Sequence, residues 1–105
     1  MSAFVLLYNT EEWMNKITNI EWQTERVAHI QVKHGVAPKE VEEVCFGHPI
    51  ILRGRGKQIY QVLGQTQAGR YLFIIVRFLG ESKVRFITAR DMSHTERKWY
   101  LKRGD

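Results

Sequence analysis

The most constraining stretch of this chain is residues 83–97, where a strand pattern runs directly into a helix start. β-Branched, aromatic and basic residues nearly alternate over residues 83–90, which predicts a half-buried strand. Ser93 and Glu96 then have the spacing of a capping box, in which each side chain accepts a hydrogen bond from a backbone amide at the start of a helix. We therefore expect a helix from Ser93 to about Lys102.

The predicted strand carries two arginines, Arg85 and Arg90, that are five residues apart. On a regular strand an odd separation sends two side chains to opposite faces. We expect Arg90, at the end of the strand, to stand on the open face of the sheet. Arg85 has an alternative interpretation as the partner of Glu21 or Glu81 in a cross-strand ion pair.

The rest of the chain predicts the element order β-α-α-β-β-β-β-α. We expect helices at 24–34 and from Pro38 to about 46, and strands at 17–22, 50–53, 58–64, 70–78 and 83–90. This order predicts an α+β domain with an antiparallel sheet of four to five strands, two N-terminal helices and one C-terminal helix. Residues 1–16 are expected to form an N-terminal extension, and residues 17–105 a single domain.

Composition limits the classes of protein that fit. The 105 residues are 44% hydrophobic and 26% charged, which is typical of one globular domain rather than a disordered chain. No apolar run has the length of a membrane span. Cys45 is the single cysteine, so an internal disulfide is impossible, which fits the cytoplasm.

Charge is distributed unevenly along the chain. Residues 1–48 hold four Lys and Arg against seven Asp and Glu, whereas residues 49–105 hold twelve against four. A basic half on a small domain indicates an anionic partner, either a nucleic acid or an acidic protein. The alternative is a solvated basic surface with no partner.

Three motifs in order along the chain resemble those of one known family. They are Lys33-His34-Gly35-Val36, then Tyr60 with Leu63-Gly64, Thr66 and Gly69-Arg70, and finally the run I-T-A-R-D-M-S followed by Glu96, Arg97 and Tyr100. These motifs resemble the BrnT family, the toxin components of bacterial type II toxin–antitoxin pairs, which are small ribonucleases with a RelE-like fold. The resemblance covers roughly residues 20–100.

The resemblance implies a function and a set of partners. It implies an endoribonuclease that needs no metal, cuts RNA by attack of the substrate's own 2′-hydroxyl and so arrests translation. It also implies a BrnA-type antitoxin that neutralises the toxin and joins it on operator DNA, which the toxin alone would not bind. A cytoplasmic protein with no membrane contact is expected, and a homodimer is left open. The alternative is a non-catalytic module of the same fold that binds nucleic acid or protein.

Metal-free RNA cleavage needs a base, an acid and cations that stabilise a pentacovalent phosphorane. Arginine suits the last role because its planar fork binds two phosphate oxygens together. Read with the resemblance, this chemistry gives candidate catalytic residues Lys33, His34, Arg77, Arg85 and Arg90, and candidate RNA-binding residues Arg70, Lys83, Arg97 and Tyr100.

Some of these candidates have structural alternatives. His34 could complement the dipole at the end of its own helix, Arg77 could mark where a buried strand leaves the core, and Tyr100 could be a packing residue. No metal site or cofactor is expected, because His29 and His34 lack the i, i+4 spacing of paired ligands on a helix and Cys45 has no second cysteine nearby.

Overall fold

The computed structural model of the protein describes residues 16–103, without the side chain of Val32. Its elements follow the predicted order β-α-α-β-β-β-β-α. They are β1 (Asn19–Glu21), α1 (Thr24–His34), α2 (Pro38–Phe46), β2 (Ile50–Arg53), β3 (Ile59–Gln65), β4 (Tyr71–Gly80), β5 (Lys83–Asp91) and α3 (His94–Arg103). The predicted extension at residues 1–16 lies outside the described residues, apart from Lys16.

The five strands form one mixed sheet in the order β1-β5-β4-β3-β2. Strands β2 to β5 are antiparallel neighbours, as predicted, but β1 pairs with β5 in the parallel direction. The expectation of a purely antiparallel sheet is therefore wrong. Hairpin connections force neighbouring strands to alternate, whereas β1 is separated from β5 by two helices and three strands, so nothing local sets its direction.

Helices α1 and α2 cover one face of the sheet and form the core with it. Apolar side chains on the inner side of each helix meet the side chains at alternate positions of the strands. The core includes Ile30, Val36, Val41, Val44, Cys45, Tyr60, Val62, Leu72, Ile74, Val76, Val84, Phe86 and Ala89, all at most 2% exposed. Full burial of one such aliphatic side chain contributes about 1.5–3 kcal/mol.

Two glycines allow the observed end of α1 and the close packing of α2 on the sheet. Gly35 ends α1 with φ of 62°, a left-handed conformation that favours glycine. Gly64 lies on the covered face of β3, where an added Cβ would come within 2.7 Å of the Val44 side chain. The absence of a side chain at Gly64 therefore allows α2 to approach the sheet closely.

The C-terminal helix α3 begins with the predicted capping box. The Ser93 amide donates to Glu96 Oε1 at 2.8 Å, and the Glu96 amide donates to the Ser93 hydroxyl at 3.1 Å. None of the residues in α3 is buried, so this helix adds little to the core. Within residues 16–103, no helix combines the length and the apolar character that crossing a bilayer requires.

Candidate nucleic-acid interface

The sheet face opposite α1 and α2 carries three arginines on its two longest strands. We call it the arginine face and define it by Arg77, Arg85 and Arg90, with Phe73, Ile75 and Thr88 between them. The β4–β5 register pairs Arg77 with Arg85, Ile75 with Thr88 and Phe73 with Arg90. At about 3.4 Å per residue, the two arginine-bearing pairs lie about 14 Å apart along the strands.

The prediction that Arg85 and Arg90 point to opposite faces is wrong, because β5 contains a β-bulge. The pairing with β4 skips Ile87, so the strand holds one extra residue at that point. An extra residue reverses the alternation of all side chains beyond it. As a result Phe86 and Ala89, which are three residues apart, are both fully buried on the helix side, and the two arginines share the other face.

Helix α1 contacts the bulge directly. Arg26 Nη1 donates to the carbonyl oxygen of Ile87 at 3.1 Å, and Arg26 Nε donates to Gln23 Oε1 at 2.8 Å. A bulged residue lies outside the regular ladder, so its backbone groups need partners from elsewhere. The hydrogen bond from Arg26 supplies one, and it links the first helix to the geometry of the arginine face.

Arg77 and Arg85 are a like-charged pair directly opposite each other, an arrangement that destabilises a sheet. Arg77 Nη1 donates to the Lys57 carbonyl oxygen at 3.1 Å. Arg85 Nε donates to Glu21 Oε2 at 2.6 Å, which confirms one of its two predicted partners, and Lys83 Nζ lies 4.0 Å from Glu21 Oε1. Within the described part of the chain, each of these arginines uses one of its five N–H groups.

Arg90 occupies a more organised position at the end of the same face. Its guanidinium lies 4.2 Å from the centre of the Phe73 ring. Nη1 and Nη2 donate to the two carboxylate oxygens of Glu96 at 2.8 and 2.9 Å, and Nη1 also donates to the Asp91 carbonyl oxygen at 3.0 Å. Among the described residues, Arg90 Nε–H and the second Nη2–H have no acceptor, and together they form the side edge of the guanidinium fork.

The Arg90–Glu96 contact shifts the pKa of both groups toward the charged forms. The hydrogen bond from Arg90 is the largest cause of a lowered Glu96 pKa, and the Ser93 amide lowers it further. The hydrogen bond to Glu96 raises the pKa of Arg90. The carboxylate and the guanidinium are therefore both ionised near neutral pH.

Arg70 stands at the same end of the sheet, but its five N–H groups all meet protein acceptors. Nε and Nη2 donate to Asp91 at 2.7 and 3.2 Å, Nη1 to Gly35 O and Glu40 Oε1 at 2.8 and 3.1 Å, and Nη2 also to His34 O at 2.9 Å. These bonds join the end of α1, the start of α2 and β5. The predicted contact of Arg70 with RNA stays a prediction, and its geometry is that of a structural clamp.

Lys33 and His34 lie at the end of α1, on the helix-covered side of the sheet. Lys33 is exposed and His34 is half-buried. Arg70 Nη2 donates both to the His34 carbonyl oxygen at 2.9 Å and to Asp91 Oδ2 at 3.2 Å, and the side-chain hydrogen bond from Arg70 is the main cause of a lowered Asp91 pKa. The structure thus groups His34 with Asp91 rather than with the arginine face, and the catalytic role of Lys33 and His34 stays a prediction.

Helix α3 places two predicted RNA-binding residues against Tyr71, the first residue of β4. Arg97 lies 4.3 Å from the centre of the Tyr71 ring, and the Tyr100 ring meets Tyr71 edge-on at 6.0 Å. Partial burial is the main cause of a raised Tyr100 pKa. Lys83 lies at the other end of β5, beside Glu21.

The described residues hold no group of three or more histidine, cysteine or acidic side chains that could bind a metal ion. Cys45 is buried in the core, and this burial raises the pKa of its thiol to about 12. The thiol is therefore protonated at neutral pH, as is typical of a buried structural cysteine.

No protein-family model and no curated protein matches the chain. Among solved structures, the 1.1 Å crystal structure of the Brucella abortus ribonuclease toxin BrnT superimposes with a TM-score of 0.60 at 15% identity. The match covers 73% of this chain and 100% of the Brucella chain. The chain has the BrnT fold. The similarity implied by the three sequence motifs is confirmed at the level of the fold.

Two features of the interface were not identified from sequence. The contact of Phe73 with Arg90 depends on the β4–β5 register, for which no local pattern exists. The sequence predicts Glu96 as a capping residue but not as part of a site. Its place in the capping box next to a strand-terminal arginine is a signal from which that assignment could have been made.

Proposed function

We propose that this protein is a metal-independent endoribonuclease and the toxin of a bacterial type II toxin–antitoxin pair. The observation that carries the proposal is the convergence of Arg77, Arg85 and Arg90 on one sheet face of a BrnT fold. Arg77 and Arg85 stand directly opposite each other, and the carboxylate beside Arg85, that of Glu21, is shared with Lys83, so an anion between the two arginines would relieve their remaining repulsion.

The roles of the three arginines follow from their free donors. Arg90 holds the scissile phosphate on its Nε and Nη2 side edge, because the Phe73 ring and Glu96 fix the plane of the guanidinium. Arg77 and Arg85 bind a further phosphate of the same strand, about 14 Å away. Arginine is effective at both places because its fork binds two phosphate oxygens and stays charged.

The decisive experiment is incubation of the purified protein with labelled RNA in excess EDTA. We expect cleavage to products that end in a 2′,3′-cyclic phosphate. An Arg77→Ala/Arg85→Ala variant purified in the same way is the control, since a contaminating nuclease would remain while the protein's own activity fell. Activity that vanishes in EDTA and returns with magnesium would refute the mechanism, and RNA that is bound without being cut would favour the non-catalytic alternative.

A toxin of this kind acts on RNA in the cytoplasm, arrests translation and must be silenced in its own cell. We propose that a BrnA-type antitoxin covers the arginine face and that operator DNA is bound only by the complex of the two proteins. The product of an adjacent small gene should then bind tightly and stop cleavage. A neighbour that is missing, or that does not bind, would count against the toxin assignment.

A further inference from the structure

The carboxylate that holds Arg90 has unused capacity to accept a proton. Glu96 Oε1 accepts hydrogen bonds from Arg90 Nη1 and the Ser93 amide, whereas Oε2 accepts one, from Arg90 Nη2. A carboxylate oxygen can accept two hydrogen bonds, so Oε2 retains one free position within the described contacts. The side chains of Glu96 and Arg90 are 26% and 40% exposed, so a bound substrate can reach both.

The chemistry of RNA cleavage requires a base next to the cation that holds the phosphate. The attacking 2′-hydroxyl and the 3′-phosphate belong to the same nucleotide, so their two protein partners must also be neighbours. A phosphate on the side edge of Arg90 would lie beside the edge that Glu96 already occupies. We propose that Glu96 is the general base that deprotonates the 2′-hydroxyl, an inference that rests on the ribonuclease function proposed above.

The cleavage step needs no reagent other than the RNA, the Glu96 carboxylate and water. The proton of the 2′-hydroxyl passes to the Glu96 carboxylate as the O2′–P bond forms. The P–O5′ bond breaks, and the departing 5′-oxygen takes a proton from a water molecule. The products are a 2′,3′-cyclic phosphate and a 5′-hydroxyl, and Glu96 then returns its proton to the hydroxide left in solvent.

Other candidate bases fit the geometry less well. Glu21 also lies next to an arginine of this face, but it meets Arg85 through Nε alone, and no aromatic ring is seen to fix that arginine among the described contacts. His34 lies on the helix-covered side. Arg90 and Ser93 lower the pKa of Glu96, so its carboxylate is in the unprotonated form that a base requires near neutral pH, although the same shift makes it a weaker base.

The test is Glu96→Gln, because glutamine keeps the capping-box acceptor but cannot take up a proton. Single-turnover cleavage of a labelled RNA should fall about a hundredfold or more, the usual contribution of a general base. Affinity for the same RNA, measured by filter binding, should be unchanged or tighter, because a negative charge next to the phosphate has been removed. A purely structural role for Glu96 would lower affinity together with rate.

The pH dependence of cleavage gives a second measurement that needs no variant. The wild-type rate should fall as the pH drops through the pKa of Glu96, and Glu96→Gln should lose this acid limb. A wild-type profile without an acid limb would overturn the inference even if Glu96→Gln failed to fold. Glu96→Asp, which keeps the carboxylate on a shorter side chain, should retain part of the rate and the acid limb.

Two matched controls separate the base from its surroundings. Ser93→Ala removes the capping hydroxyl but keeps the carboxylate, so it should lower the rate per folded molecule far less than Glu96→Gln; because that hydroxyl helps to lower the Glu96 pKa, the acid limb should move to slightly higher pH. Glu21→Gln makes the same chemical change at the other arginine–glutamate pair and should lower the rate far less than Glu96→Gln. If the wild type does not cleave RNA, the proposed function falls and this inference with it. If the wild type cleaves and Glu96→Gln cleaves equally fast, this inference alone falls.

Discussion

Arg70, just before β4, and Arg90, on β5, stand at the same end of the sheet, and each binds a carboxylate through two nitrogens. Arg70 also donates to two backbone carbonyls and a second carboxylate, so all its donors are used. Arg90 instead lies on an aromatic ring and keeps the side edge of its fork unoccupied among the described residues. Two arginines with similar charge and exposure are therefore suited to different tasks, the first to holding elements together and the second to binding an anion.

This comparison shows that the number of free donors distinguishes arginines better than position or charge. Arg77 and Arg85 each use one N–H group within the described contacts, Arg90 uses three and Arg70 uses five. An arginine with a full set of protein acceptors would have to lose several hydrogen bonds before it could bind a phosphate. Each such bond to a charged group is worth about 1.5–3 kcal/mol.

The largest expected effect is on catalysis at Arg90. Arg90→Ala should lower the single-turnover cleavage rate about a hundredfold or more, as is typical when one donor to the transition state is lost. RNA affinity should fall much less, because several phosphate contacts share the binding. Arg90→Lys should recover little, since a point charge cannot replace a two-pronged contact. Equal losses of rate and affinity would make Arg90 a binding residue only.

The next effect is on stability at Arg70. Arg70→Ala should lower the free energy of unfolding by about 2–3 kcal/mol, because two backbone carbonyls and two carboxylates lose a common donor. Urea denaturation at neutral pH measures this change. The folded fraction of the variant should cleave RNA at close to the wild-type rate. A stable variant that has lost RNA affinity would reverse the comparison and make Arg70 the phosphate ligand that the sequence predicts.

The smallest expected effect is on stability at Ser93, whose hydroxyl caps α3. Ser93→Ala removes the hydroxyl that accepts from the Glu96 amide at 3.1 Å and should cost about 1 kcal/mol of stability. The bidentate contact of Glu96 with Arg90 does not involve that hydroxyl and should persist, but the hydroxyl helps to lower the Glu96 pKa, so the acid limb of cleavage should move to slightly higher pH. An unaltered denaturation midpoint would mean that the cap contributes nothing to the stability of the fold.

The sequence by itself determined the features that depend on neighbours along the chain. The bounds of α1 and β2 and the capping box of α3 agree with expectation, because each follows from periodicity or from local hydrogen bonding. The acidic partner of Arg85 was predicted as Glu21 or Glu81, and the pairing of β1 with β5 selects Glu21, 64 positions away in the chain.

The tertiary structure alone decided which arginines share a sheet face and which acceptors surround each of them. A regular alternation assigns Arg85 and Arg90 to opposite faces, and one bulged residue, Ile87, reverses that outcome. The bulge is stabilised from α1 by Arg26, a contact across 61 positions of the chain. The parallel direction of β1 and the full set of acceptors around Arg70 likewise depend on residues far apart in sequence. Such contacts have no local signature, because they exist only once the helices have packed on the sheet.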